Sequence, residues 1–395
     1  MGTKLTEVLL KSFLAVVCLA SVVISSRSAL KDTGEFQYNA SVQGSVNFWE
    51  NWENAKCLAA GNNIYDPAVI QKFNLQPNYL PNSFVFLFPF TALSWPMARG
   101  LWLALNLFFT AWLAWQMSVL FWEKKHALLL FALISSSACW STLIHAGQFT
   151  LWSFCFFLLA LRWDRENRPF LSGLAITLCL LKYALTVPLL LYFIVYRRSW
   201  KNVAVAAGIH AVIFGWVAFF LKISPWDLFL GPVRSANHMN VAGRGYLDLL
   251  AFWYRATGHA AGSPYLLSAL LILGALVWIL QRLKGKDDLG ALSLVVMAAL
   301  TVMFHNNYDY VGAIFPLIWC VKQYSPRDGV VLTIGSIAAA VLYLSSHYFE
   351  FFPHMDWVMD FMKSDGYLLS LSLLWYLSLG LLWAKLKSEA LSPTL

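Results

Sequence analysis

Carboxylates able to take a proton gather in one stretch of this chain: residues 27–82 hold Asp32, Glu35, Glu50, Glu53 and Asp66. Within it, Ser45 to Ala60 reads as a helix. Asn47, Glu50, Asn51 and Asn54 recur at spacings of three and four, so they share one face. Phe48, Trp49 and Trp52 provide an aromatic face to lie on a membrane surface. A polar face above an aromatic one suits a site working on a lipid headgroup. It equally suits a plain interfacial helix with a solvated polar side.

Four other pieces set polar groups among apolar neighbours. "LIHAGQFTLW" puts His145 and Gln148 at a tight turn, where Gln148 is either a site residue or a helix cap. "CLLKYALTVP" places Lys182 at the tip of a hydrophobic hairpin. A lysine at membrane depth is costly and by default pairs or serves function. A lipid phosphate would satisfy it, and so would snorkelling to the interface. "FLGPVRSANHMNVAGRGYLDLL" supplies Arg234, His238 and Arg244, as a bidentate phosphate clamp or as ordinary surface cations. "MFHNNYDYVGAIFP" interrupts apolar runs with His305, Asn306, Asn307, Tyr308 and Asp309, a site wall or only a turn.

The elements that must position these groups are membrane helices. The chain has 395 residues, 59% hydrophobic and 12% charged, against roughly a quarter charged for a soluble domain. Apolar runs near the ~20 residues needed to cross a bilayer recur from end to end. The formal charge of +8 sits in short clusters between these runs, such as Lys124–Lys125, Arg197–Arg198 and Arg282–Lys284–Lys286. Such clusters mark cytoplasmic loops and imply no nucleic acid. Placing them inside predicts helices over 9–26, 98–121, 127–144, 148–163, 169–182, 184–196, 202–221, 264–281, 290–304, 309–322, 329–346 and 367–386, with both termini cytoplasmic. The first is read as retained rather than cleaved. Residues 27–82 and 222–262 become outer loops. The Pro-containing piece 83–96 is too short to span and reads as re-entrant or interfacial. The fold class is therefore an all-α polytopic membrane protein, one transmembrane domain over 1–395.

Five of the six cysteines lie in apolar runs, and Cys57 falls in the first outer loop with no evident disulfide partner. No Walker loop, dinucleotide fingerprint, zinc spacing or nucleophile elbow is present. No cofactor and no metal is called for, and a cytoplasmic nucleotide sugar is not an expected substrate.

"NFWENWENAKCLAAGNNIYDP", "YLPNSFVFLFPFTALSWPMARGLWLALN", the Gly147–Gln148 pair, Lys182 followed by "RRSW", and "HNNYDYVGAIFP" follow one another in an order that resembles glycosyltransferase family 87. These are the polyprenol-phosphate-dependent mannosyl- and arabinofuranosyltransferases of the GT-C superfold. The resemblance runs from the first helix to about residue 320. It implies a GT-C bundle of about 11–13 transmembrane helices whose long first outer loop carries interfacial helices, in the cytoplasmic membrane with its site on the outer face. The implied partners are a polyprenyl-phosphate-linked sugar (mannose or a pentose), a glycan or glycolipid acceptor, and membrane lipid. Substrate contacts are expected from His145, Gln148, Lys182, Arg234, Arg244, His305, Asn307, Tyr308 and Asp309.

The resemblance also implies a general-base aspartate in the first outer loop, and that position holds Asn47. An asparagine cannot accept the proton. Glu50, one turn along, replaces it; or Asp32 or Glu35 is the base; or the chain binds lipid without catalysis. A transporter or flippase for a lipid-linked sugar is the alternative class. That class predicts charged pairs at mid-membrane, whereas the polar groups here collect at the predicted outer helix ends.

Overall fold

The computed structural model describes residues 2–30, 45–238, 249, 252–253, 263–283, 285–303, 307–323 and 372–380. Every regular element among them is helical. α1 (Gly2–Leu30) precedes four short helices: α2 (Val46–Ala59), α3 (Pro67–Phe73), α4 (Pro81–Phe86) and α5 (Phe88–Thr91). There follow α6 (Trp95–Phe121), α7 (Ala127–Ser135), α8 (Ala138–Ala146), α9 (Thr150–Arg165), α10 (Pro169–Cys179), α11 (Tyr183–Thr186), α12 (Trp200–Leu221) and α13 (Pro225–His238). The series ends with α14 (Ser263–Leu283), α15 (Asp288–Val302) and α16 (Ile314–Gln323).

Five stretches are long and apolar enough to cross a membrane: Lys11–Leu30, Trp95–Phe121, Pro169–Leu189, Trp200–Leu221 and Ser263–Leu283. The bent pair α7–α8 makes a sixth if counted as one span. This is an all-α polytopic membrane protein. The helix expected over 329–346 lies outside the described residues, as does most of 367–386, of which 372–380 is helical.

Contacts group the chain into two compact units. The first comprises residues 1–136, 140–186 and 199–244, and the second 137–139, 187–198 and 245–395. In the first, α10 packs between α9 and α12. Asn202 on α12 donates to Asp164 Oδ1 at 2.8 Å and to Ser172 Oγ at 2.9 Å, and Ser172 donates to the Ala160 carbonyl at 2.9 Å. Beside this joint, Gly173 lets α10 and α12 approach: a Cβ there would lie 2.5 Å from Val205 and 2.8 Å from the Asn202 carbonyl oxygen. Small residues serve this purpose in bilayers, where close packing replaces the hydrophobic drive. Gly173→Ala should lower stability by about 1–3 kcal/mol, read as earlier thermal unfolding in detergent.

Exposure identifies the lipid-facing surfaces. α12 presents Val212 and Phe219, and α14 presents Leu266, Leu267, Leu270 and Leu271, all well exposed. Such apolar stripes are stable against acyl chains and not against water. In the second unit α15 is apolar all round and buried from Leu289 to Leu300, as a core helix must be. Its start is fixed by Asp287, whose Oδ1 caps Gly290 N–H at 2.8 Å while Oδ2 accepts from Trp319 Nε1 at 2.9 Å.

Three sequence expectations change. The helix predicted over 127–144 is bent by 71° between α7 and α8. The break falls in the run Ser135–Ser137, where Ser136 Oγ bonds back to the Ala132 carbonyl at 2.7 Å, a known source of helix bending. The expected hairpin with Lys182 at its tip is instead a continuous helical run. α10 passes through a 3-10 turn, Leu180–Lys182, directly into α11. Its loosened backbone is met from outside, since Ser83 Oγ donates to the Leu181 carbonyl at 2.6 Å. Lastly, the outer loop expected over 222–262 contains a helix, α13, whose start is set by Pro225.

Candidate active site

The stretch that carries the candidate base is held at both ends. At its start, Ser45 takes a left-handed φ of 64°, its N–H donates to the His145 carbonyl at 2.5 Å, and its Oγ donates to the Ala29 carbonyl at 3.2 Å. His145 Nδ1 also meets Ser28 Oγ at 2.8 Å. His145 thus fastens α1 and α2 to the end of α8. At its finish, Gly61 adopts φ 81°, Asn62 N–H reaches the Cys57 carbonyl and Gly61 N–H the Leu58 carbonyl. These paired bonds form a Schellman cap, which explains the glycine at that place. Asp66 then caps α3 through Ala68 N–H at 2.8 Å, with Pro67 as its first residue.

The faces of α2 are not those the sequence suggested. Phe48 and Trp52 point into the protein, not onto a membrane surface. Phe48 stacks on Trp102 at 4.4 Å and 8°, with Trp95 at 5.7 Å on the same ring, and Trp52 Nε1 donates to the Phe90 carbonyl at 2.8 Å. The stack continues from Trp102 to Trp152 at 4.7 Å. Two residues of the presumed solvated face are buried as well. Asn51 donates to the Asn47 carbonyl at 2.7 Å, and Asn54 donates to the Gln76 carbonyl at 3.3 Å. Asn47 and Glu50 are half-buried, at the margin of this packed surface. Cys57 is buried too, and burial raises its thiol pKa.

The turn that follows α8 meets α2 directly. Gly147 has φ 71°, and a Cβ on it would lie 2.8 Å from Phe48 Cβ. Its carbonyl accepts from Trp102 Nε1 at 3.0 Å. Gln148 comes next, 2% exposed. Its Oε1 accepts from the Tyr79 hydroxyl at 3.1 Å and from Lys182 Nζ at 3.2 Å, while Lys182 also donates to Thr150 Oγ1 at 2.9 Å. Two neutral oxygens thus accept from this buried ammonium and help to solvate it. Tyr79 is fixed in turn, because its carbonyl accepts from the Tyr65 hydroxyl at 2.6 Å. Burial, with Tyr183 nearby, raises the Tyr65 phenol well above its ordinary pKa, so it remains a neutral donor.

The structure thus joins Gln148 to Lys182, and the turn of His145 and Gly147 to the start of α2 through Ser45 and Phe48; Asn47 and Glu50 flank Phe48 on that helix. Arg234 lies on α13, the helix whose Gly231 packs against the Tyr65 ring. Arg234 is exposed on α13, and both its terminal nitrogens donate to Asp227 Oδ1 at 3.1 Å. Asp32, Glu35, Arg244 and His305 lie outside the described residues, as does the side chain of Asn307. Tyr308 and Asp309 are buried in a 3-10 turn, Asn307–Ala313, of the second unit.

Several members of the site were not singled out in the sequence. Tyr79 is 69 residues from Gln148, and only its place in the "YLPNSF" stretch marked it. Thr150 sits two residues after Gln148, a spacing that alone says nothing. Arg99 is 8% exposed at the start of α6 with its guanidinium 5.7 Å from the Trp95 ring. Its signal was a lone arginine inside a 27-residue apolar helix.

The fold and this polar cluster define a polytopic membrane protein with a buried, lysine-centred network beside a short amphipathic helix. The chain belongs to glycosyltransferase family 87, whose sequence model matches residues 78–305, more than half of it. It is accordingly a glycosyltransferase of the membrane. The matched region contains Tyr79, Gln148, Thr150 and Lys182, and α2 lies before it. No curated protein and no solved structure matches the chain.

Proposed function

We propose that the protein is an inverting glycosyltransferase of GT-C architecture. It moves mannose or a pentose from a polyprenyl-phosphate-linked sugar to a glycan or glycolipid acceptor on the outer face of the cytoplasmic membrane. One observation carries the reading: the first turn of α2, which bears Asn47 and Glu50, packs through Phe48 on Gly147, whose neighbour Gln148 holds the buried Lys182. A carboxylate on the first and a cation behind the second are the two groups such a transfer needs.

In this scheme the carboxylate of Glu50, or of Asp32, takes the proton from the acceptor hydroxyl as its oxygen bonds to the anomeric carbon. The bond from that carbon to the donor's phosphate oxygen breaks, and polyprenyl phosphate leaves with the electron pair. Attack from the opposite side inverts the anomeric centre. The charge of Lys182 offsets the charge growing on the departing phosphate, and low polarity around it strengthens that interaction. Arg234, Arg244, His305, Asn307, Tyr308 and Asp309 remain proposed substrate contacts. No step requires a metal.

Purified protein in detergent, given short-chain polyprenyl-phosphate-mannose or a pentose analogue and a panel of glycolipid acceptors, should release polyprenyl phosphate and an acceptor glycoside of inverted configuration. Asn47 favours a second reading, a family member whose chemistry is switched off. That reading is the result if wild type is silent and Asn47→Asp is active. Movement of intact lipid-linked sugar across vesicles without cleavage would replace both readings by a flippase.

A further inference from the structure

We infer that α13 is a lipid-docking helix: its exposed Trp226–Phe229 face sits in the headgroup and acyl boundary of the leaflet at which α12 ends, while its opposite face covers Tyr65. The inference stands whatever reaction the site performs.

The depth of α13 is set by the helix before it. α12, Trp200–Leu221, has 22 residues, mostly apolar, which at 1.5 Å each reach about 33 Å, just over the ~30 Å of a bilayer's hydrocarbon core. Its last turns present Trp216, Phe219 and Phe220 outward, the first stacked on the third at 5.6 Å and 10°, and the exposed Lys222 follows. An aromatic band closed by a lysine marks the level where a span leaves the bilayer. There a Schellman cap stops α12. Lys222 takes a left-handed φ of 55°, Ile223 N–H donates to the Ala218 carbonyl at 3.0 Å, and Lys222 N–H donates to the Phe219 carbonyl at 3.2 Å. α13 starts at once, with Ser224 Oγ accepting from Trp226 N–H at 3.2 Å and Pro225 in first place. Lys222, Ile223 and Ser224 alone join the two helices, a link of about 11 Å if fully extended. The first turn of α13 is therefore held at the level where α12 emerges.

The faces of α13 decide what each side meets. Leu228, Gly231 and Ser235 are buried at spacings of three and four. A Cβ on Gly231 would lie 2.4 Å from Tyr65 Cγ, so the helix backbone rests directly on that ring. At about 100° per residue, Trp226 stands about 200° from Leu228, and Phe229 about 200° from Gly231. These two rings are 65% and 51% exposed and stack on each other at 5.7 Å and 22°. The Asp227–Arg234 ion pair lies on the flank between the two faces. A helix of 14 residues is too short to span a bilayer, and one that bares two large aromatic rings opposite its docked side is poorly placed in water. It suits the interface plane. The occupant is lipid because the exposed rings continue the lipid-facing band of Trp216, Phe219 and Phe220 across a three-residue turn. Tyr65, beneath α13, donates to the Tyr79 carbonyl at 2.6 Å, so the docked helix ties this part of the site to headgroup depth.

The test is the accessibility of a spin label on the purified full chain in nanodiscs of phosphatidylcholine and phosphatidylglycerol. The native cysteines are all buried, so the label goes to one introduced cysteine at a time: Trp226→Cys, Phe229→Cys, Asp227→Cys or Arg234→Cys. Val212→Cys, on the exposed side of α12, is the lipid-facing standard. Labels at 226 and 229 should collide with oxygen, which dissolves in lipid, more than with a water-soluble nickel chelate, as the standard does. Labels at 227 and 234 should show the reverse order. Nickel preference at 226 and 229 would make the face wet and open to a water-borne glycan. Exclusion of both relaxants there would mean that protein covers it, from this chain or a second copy. Oxygen preference at all four positions would submerge the helix instead of laying it at the interface. Each of these results overturns the proposal. The unsubstituted protein gives a second reading that no folding defect can blur. Hydroxyl radicals generated in water should leave Trp226 and Phe229 as unoxidised in nanodiscs as Phe219 of α12; their oxidation with Phe219 spared overturns the proposal as well.

Discussion

Glu50→Gln should lower sugar transfer by roughly 10²–10⁴-fold, the range that positioned base catalysis supplies, with little change in thermal unfolding. The argument starts from the position the family resemblance assigns to a base, which here is Asn47. Three residues of α-helix turn a side chain by about 300°, so Asn47 and Glu50 diverge by only ~60° around α2. The glutamate is one methylene longer, enough to bring its carboxylate back over the neighbouring position. Both are half-buried on the turn that packs against Gly147, so the mutation to an isosteric amide removes the proton acceptor and little packing. Glu53 is the internal control. It lies on the same helix, bonds Lys56 at 3.4 Å on the exposed side, and Glu53→Gln should leave transfer unchanged. Full activity in Glu50→Gln would remove Glu50 as the base. Loss in Asp32→Asn instead would move the base to the segment before α2.

What the sequence made legible, and what it hid, divides along a physical line. Hydrophobic length fixed the membrane class, because an apolar stretch such as Trp200–Leu221 has no other stable use. The helix read from Ser45 to Ala60 matches α2, Val46–Ala59, since its caps depend on residues within a few positions. Periodicity could say that Phe48 and Trp52 share a side, but not whether lipid or protein covers them, for both solvents are apolar. The covering groups, Trp95 and Trp102, arrive from a helix some fifty residues on. Lys182 showed a similar limit. A lysine in an apolar run signals function or pairing, yet a hairpin tip and a buried helix position write the same residues. Partners such as Gln148 and Thr150, 34 and 32 residues away, decide between them. The Gly147–Gln148 pair was visible as a turn, while its reason was tertiary.

That reason supports the second large effect. Gly147→Ala should destabilise the protein by about 2–5 kcal/mol and depress transfer with it. Two independent terms add. A left-handed φ of 71° costs a Cβ-bearing residue roughly 1–2 kcal/mol. The new Cβ would also stand 2.8 Å from Phe48 Cβ and 3.5 Å from Ser45 Cβ and Trp102 Cδ1. Forcing such overpacking costs typically 1–3 kcal/mol. Phe48 cannot retreat cheaply, because its ring lies stacked with both Trp95 and Trp102. The turn cannot swing away either, because the Gly147 carbonyl is bonded to Trp102 Nε1 and the Gly147 and Gln148 N–H groups both bond Leu143. Gly208→Ala on α12 is the matched comparison, with open space around its Cβ and no positive φ. There the substitution should be neutral or stabilising, since alanine is the better helix former by up to ~1 kcal/mol. Differential scanning fluorimetry of the two variants reads the contrast directly. Equal shifts would mean that the α2–α8 contact is looser than drawn. A fall confined to Gly147→Ala, with transfer declining even below its unfolding range, would show that the packing of α2 on this turn sets the distance between the proton acceptor and the phosphate-holding group.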